Sequence, residues 1–153
     1  MGRASAHSKK RKIILAFVTV MWTLFIFSQS FLNSTISSHE SGTLLSVMQS
    51  VVNFIGLHIT VTSFFVRKLG HFSEYFVLGV LFMNMINSYQ KPTKNIYMPL
   101  FFFILIPSID ECIQRFVPGR SSDERDVLID FCGCILAMLI CLFIFSLKRK
   151  KKS

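Results

Sequence analysis

Acidic, basic and amide side chains interrupt three of the most apolar stretches of the 153-residue sequence. The stretches are RKLGHFSEYFVLG, PSIDECIQRF and RDVLIDFCG, and their candidate ligand-binding residues are Lys68, His71, Glu74, Tyr75, Asp110, Glu111, Gln114, Asp126 and Asp130. Imidazole and carboxylate groups can act as general acids and bases, and lysine can pair with an anionic group. The candidates for a catalytic role are His71, Glu74, Glu111 and Asp126.

The composition indicates that these stretches lie in a membrane. The chain is 52% hydrophobic with 17 Phe and 7 Met, and its mean hydropathy is +0.53. Four stretches approach the roughly 20 residues that cross a bilayer, at about 13–32, 68–88, 96–117 and 126–147. Because the backbone must satisfy its own hydrogen bonds in lipid, we predict an all-α bundle of four transmembrane helices in a single domain over 1–153. Cleavage of the first span as a signal peptide is an alternative that leaves the remaining topology unchanged.

The segment 43–65 is ambiguous. Its polar residues fall close to helical spacing, at Ser46, Gln49, Ser50, Asn53 and Thr60. This pattern predicts an uncharged amphipathic helix at the membrane interface, or packed across the mouth of the bundle. The alternative, a fifth span, would place the two basic termini on opposite sides of the membrane.

Charge placement predicts the orientation. With four spans, the basic tails 1–12 and 148–153 lie on the same side as Lys91 and Lys94, and that side carries twelve basic residues and no acidic ones. The positive-inside rule makes it cytoplasmic. All eight acidic residues then lie outside. The topology and anionic inner-leaflet lipids explain the net charge of +9, so we expect no nucleic-acid partner.

The candidate residues share helix faces near one end of the predicted bundle. Lys68, His71 and Tyr75 are spaced i, i+3, i+7, with Glu74 flanking them, while Asp110 and Gln114, like Asp126 and Asp130, are spaced i, i+4. A charge at the bilayer centre costs about 3 kcal/mol even on a lenient scale, so these groups should converge. We therefore expect a polar pocket that opens to the outside.

The connection between spans three and four is predicted to cover this pocket. Pro118-Gly119 is a turn signal, and Arg120 follows at once, so its side chain can reach back as a further ligand-binding residue.

The blocks KLGHFSEYFVLG, DECIQRFVPGRS and DVLIDFCG occur in this order, and together they resemble the VanZ-like family, named for a teicoplanin-resistance protein. The resemblance covers about residues 10–147. The family motif falls on Lys68, His71, Glu74, Tyr75, Asp110, Glu111, Gln114, Phe116, Pro118, Gly119, Arg120, Asp126, Asp130 and Gly133. It implies a protein of the bacterial plasma membrane, linked in some members to lower sensitivity to glycopeptide or lipoglycopeptide antibiotics, but it supplies no established reaction.

Three interpretations of the cluster follow. In the first, Arg120 and Lys68 bind a phosphate or carboxylate of an envelope precursor or an antibiotic, while the acids hold these cations or receive amines. In the second, the protein processes lipids or glycans, with His71 as general base oriented by Glu74 or Asp110, and Glu111 or Asp126 as acid. In the third, the charges are an ion-pair network that only joins the helices.

No cofactor or metal site is expected from motif spacing. The four cysteines form no CxxC motif and fit no zinc pattern with histidine, although in the enzyme interpretation paired carboxylates could hold a divalent cation. The expected partners are membrane lipids, together with a cell-wall or lipid-linked precursor or a glycopeptide.

Overall fold

The computed structural model describes residues 2–31, 45–54, 60–89, 95–118 and 124–151, and every regular element in these ranges is an α-helix. The helices are α1 (Gly2–Ser30), α2 (Leu45–Phe54), α3 (Ser63–Tyr89), α4 (Tyr97–Arg115) and α5 (Glu124–Lys150). Four of them contain segments long and apolar enough to cross a membrane: Ser8–Ser30, Ser63–Tyr89, Tyr97–Arg115 and Arg125–Lys150. The predicted all-α fold with four spans is confirmed.

The helix bounds differ from the predicted spans at both basic ends. Helix α1 begins at Gly2 and α5 continues to Lys150, so most of the predicted basic tails are helical. Ala, Lys and Arg have high helix propensity, so the helices continue through these residues beyond their apolar segments. Similarly, α3 begins at Ser63, five residues before the predicted span.

The helix predicted between spans one and two is confirmed, but it is shorter than the predicted segment 43–65, whose last three residues belong to α3. Helix α2 has ten residues, Leu45–Phe54, and rises about 15 Å, which is half the thickness of the hydrocarbon core. Its position at the membrane interface stays a prediction.

Contacts at the two ends of the bundle define the helix directions. Lys68 contacts Asp126 near the beginnings of α3 and α5, and Arg149 donates to Asn87, at 3.4 Å, near their ends, so these two helices run parallel. Lys12 lies over the ring of Tyr89, 5.3 Å from its centroid. The basic ends of α1 and α5 therefore share one end of the bundle.

Helices α3 and α5 approach closely through small residues. A Cβ added at Gly133 would lie 2.6 Å from the carbonyl oxygen of Phe72, and one added at Gly79 would lie 2.7 Å from Cβ of Ala137. Neither distance leaves room for a methyl group. Because Gly133 follows Asp130 by one turn and Phe72 adjoins His71, this close approach also positions the polar residues of the two helices.

The bundle interior is apolar toward the basic ends. Buried residues there include Phe82, Met83, Phe103 and Met138. Large apolar side chains also cover the outside, where Phe17 and Phe143 are more than 60% exposed. Such a surface is stable in lipid, as expected for a multi-pass membrane protein.

We predict that Gly133→Ala lowers the free energy of unfolding by about 1–3 kcal/mol, since the added methyl overpacks a backbone contact. The matched control is Gly70→Ala on α3, where an added Cβ meets nothing within 4 Å. Thermal unfolding of both variants in detergent measures the difference. Equal melting temperatures would contradict the close approach of α3 and α5.

Candidate functional site

The structure brings polar side chains from four helices together at the end of the bundle opposite the basic termini. We call this group the polar cluster; its residues are Ser30 of α1, Lys68, His71 and Tyr75 of α3, Asp110 and Gln114 of α4, and Asp126 and Asp130 of α5. It is deeply enclosed, with Tyr75, Asp110 and Asp130 only 0%, 1% and 2% exposed. Helical spacing explains why these side chains come together, because each helix presents its polar residues on one face.

Asp110 is held by donors from two helices. The Ser30 hydroxyl donates to Asp110 Oδ1, and Gln114 Nε2 donates to Asp110 Oδ2 at 3.0 Å. Gln114 Nε2 also approaches Ser30 Oγ at 3.3 Å. The network fastens the end of α1 to α4, so α1 contributes to the cluster although sequence reasoning assigned no site residue to it.

Lys68 and Asp126 form a buried ion pair between α3 and α5. Their side chains are 12% and 6% exposed, so water screens the pair weakly. Each charge compensates the other, which reduces the cost of placing both in an apolar bundle.

His71 and Asp130 face each other without forming a hydrogen bond. His71 Nδ1 lies 3.5 Å from Asp130 Oδ1, and neither atom has a hydrogen-bond partner within the described residues. The Tyr75 hydroxyl lies beside Asp110 and Asp130, yet it also lacks a hydrogen bond of normal geometry in that part of the chain. Three buried polar atoms therefore surround one small region between the helices.

The remaining predicted site residues lie around the cluster or outside the described ranges. Glu111 is buried on α4. Glu74 is half-buried, and its backbone carbonyl accepts a hydrogen bond from Trp22 Nε1 at 3.0 Å. Pro118 is exposed in a turn, whereas Gly119 and Arg120 lie outside the described residues. The predicted cover over the pocket stays a prediction.

Comparison with known proteins identifies a family. The family model described as VanZ/LLP1 matches residues 13–146, a range that contains the whole polar cluster. No curated protein and no solved structure matches the chain.

We predict that Ser30→Ala lowers the free energy of unfolding by about 1–3 kcal/mol, because it leaves a buried carboxylate without one of its donors. The matched control is Ser28→Ala, two residues earlier, where an exposed hydroxyl donates to the Phe25 carbonyl at 2.7 Å. Thermal unfolding of the two variants measures the contrast. Equal effects would mean that Ser30 does not support Asp110.

A double-mutant cycle tests the Lys68–Asp126 pair. Lys68→Met alone should destabilise the protein by about 3–5 kcal/mol, since it leaves a buried carboxylate uncompensated. Adding Asp126→Leu should recover most of this loss. Additive losses in the double variant would show that the two side chains do not interact.

Proposed function

The chain belongs to the VanZ/LLP1 family, and from this premise we propose that its polar cluster binds the head group of a cell-envelope component at the outer leaflet of a bacterial plasma membrane. One observation carries the proposal: titratable and hydroxyl side chains from four helices converge at a single end of an apolar bundle. Groups of this kind within membrane segments are costly and usually serve function. An apolar interface would join the helices at lower cost.

The charge distribution supports an outward orientation of the cluster. The basic ends of α1 and α5 lie together at the opposite end of the bundle. Positive charge is retained on the cytoplasmic side, so both termini are proposed to be cytoplasmic and the cluster extracytoplasmic.

The contacts favour a ligand rich in hydroxyl groups over a bare anion. Lys68 is already neutralised by Asp126, so a phosphate could recruit it only by leaving Asp126 uncompensated. Carboxylates accept hydrogen bonds from hydroxyl groups, and the Tyr75 hydroxyl and His71 can add further ones. The sugar of a lipid-linked precursor has this chemistry. Arg120, from outside the described residues, remains a candidate for an anionic group on the same ligand.

A role in antibiotic sensitivity extends this proposal. Binding or altering a surface component would change the molecules that a glycopeptide such as teicoplanin contacts at the membrane. The resemblance of the three sequence blocks to VanZ-like proteins supports this extension.

The second candidate function is processing of the same head group. The observation in its favour is the proximity of His71 Nδ1 to Asp130 Oδ1, 3.5 Å apart, because a carboxylate beside an imidazole can orient a general base. In this arrangement Asp130 is a further candidate for orienting the imidazole, beside Glu74 and Asp110. Asp126 is engaged with Lys68, which makes it a less suitable acid.

The proposal predicts that wild-type protein retains an envelope lipid or lipid-linked glycan during mild detergent purification, detectable by mass spectrometry. Asp110→Asn should reduce the retained amount about tenfold or more, since a charged hydrogen-bond acceptor contributes about 1.5–3 kcal/mol. The matched control is Ser108→Ala on the same helix, where the exposed hydroxyl donates to the Ile104 carbonyl at 2.8 Å. Teicoplanin sensitivity of cells that express each variant provides a second readout.

The outcomes separate the interpretations. Loss of the retained molecule at unchanged membrane abundance supports binding. A chemically altered molecule that appears with the wild type and disappears in His71→Gln favours processing. If no envelope molecule is retained and the cluster variants only lower abundance, the cluster is an ion-pair network and the proposal is wrong.

A further inference from the structure

We infer that His71, Asp110 and Asp130 form a binding site for a divalent metal ion of the Zn²⁺ or Mn²⁺ type within the polar cluster. The inference rests on the proposed function and deepens it, because the ion would offer open coordination positions to oxygen atoms of the head group. It departs from the expectation, based on motif spacing, that no metal binds.

His71 and Asp130 have the separation that a metal site requires, and Asp110 lies near enough to join them through a side-chain adjustment. One ligand atom from each of the three residues lies within 4.8 Å of the other two. His71 Nδ1 and Asp130 Oδ1 are 3.5 Å apart. Two atoms bound to one ion at about 2.0–2.2 Å are separated by about 3–3.5 Å in tetrahedral or octahedral geometry. The observed distance is thus too long for a good hydrogen bond and suitable for shared coordination.

Unsatisfied buried atoms point independently to a missing partner. Asp130 Oδ1 and His71 Nδ1 have no hydrogen bond within the described residues, although the Asp130 side chain is only 3% exposed. Tyr75 is 0% exposed, and its hydroxyl lies beside Asp110 and Asp130. This hydroxyl also has no hydrogen bond within the described residues. Leaving such groups unpaired is costly. A cation would bind Asp130 Oδ1 and His71 Nδ1. A water molecule or ligand oxygen on that cation would accept a hydrogen bond from the Tyr75 hydroxyl.

The charge of the site matches a divalent cation. Two carboxylates and an imidazole enclose the region, and the nearby Lys68 is paired with Asp126. Carboxylates in an apolar bundle require compensating positive charge. An ion of charge +2 would neutralise Asp110 and Asp130 together.

Neighbouring residues hold one ligand in place. Ser30 and Gln114 donate to the two oxygens of Asp110, and each oxygen keeps a further lone pair for a metal. Outer hydrogen bonds of this kind orient ligating carboxylates. One imidazole with two carboxylates suits Zn²⁺ or Mn²⁺ rather than a thiolate-seeking ion. Three protein ligands also leave a position open, as in sites that bind substrate.

The test uses the full chain in detergent, with its affinity tag removed and without added lipid. After chelation and dialysis, Zn²⁺ is titrated calorimetrically, and bound metal is measured by mass spectrometry. We expect one equivalent per chain and a higher melting temperature. His71→Gln and Asp130→Asn should each weaken binding by about 10- to 100-fold or more. The control Ser73→Ala on the same helix removes an exposed hydroxyl that donates to the Leu69 carbonyl at 2.7 Å, and it should bind Zn²⁺ close to the wild-type affinity.

A measurement on the wild type alone keeps the inference testable if the variants fold poorly. Co²⁺ bound in a site with one imidazole and few ligands should show a visible absorption band. Added Zn²⁺ should abolish this band by displacing the Co²⁺. No band and no stoichiometric Zn²⁺ or Mn²⁺ binding would overturn the inference, as would equal binding by wild type and Asp130→Asn. If the metal is absent while an envelope molecule is still retained and lost in Asp110→Asn, only this inference fails. If Zn²⁺ binds and no envelope molecule is retained, only the proposed function fails.

Discussion

The constraint on which this structure depends is the need to compensate buried carboxylates in an apolar bundle. Asp110, Asp126 and Asp130 are each less than 5% exposed, and such groups persist only when donors or cations surround them. Asp126 has Lys68, and Asp110 has Ser30 and Gln114. Among the described residues Asp130 faces the His71 imidazole, with Oδ1 3.5 Å from Nδ1 and without a hydrogen bond. Asp126 is therefore compensated by a charge, whereas Asp110 has neutral donors and Asp130 faces an imidazole, and the proposed ligand site lies at these last two residues.

The helix arrangement makes this compensation possible. Helices α3 and α5 run parallel, so their N-terminal polar residues meet at one end, and the close approach at Gly133 brings Phe72, next to His71, against the turn that follows Asp130. Helices α1 and α4 run the other way and deliver Ser30, Asp110 and Gln114 to the same end. Moving any one helix along its axis by a turn, about 5.4 Å, would separate these partners.

Hydropathy and helical periodicity predict the spans and the polar faces, because both depend on properties local to each segment. They do not predict which residue on another helix each polar side chain contacts. Ser30 resembles many serines in apolar helices, which bond to a carbonyl one turn earlier, and it has such a carbonyl 3.4 Å away at Ile26. The pairing of Lys68 with Asp126 depends on which helices are neighbours, information that a single sequence does not carry. Hydropathy also does not predict the helical basic ends, because it falls at the first charged residues while α1 and α5 continue through them.

Thiol cross-linking between α1 and α4 tests most directly whether the bundle brings the side chains of the polar cluster into contact. The four natural cysteines are replaced by alanine, Ser30→Cys is combined with Asp110→Cys, and a protease site is inserted between residues 90 and 94. Since the Ser30 and Asp110 side chains are in contact, a mercuric ion should bridge the two thiols and keep the cleaved halves joined on a denaturing gel. Ser28→Cys with Asp110→Cys should let the halves separate. Separation in the first pair, or equal joining in both, would contradict the account.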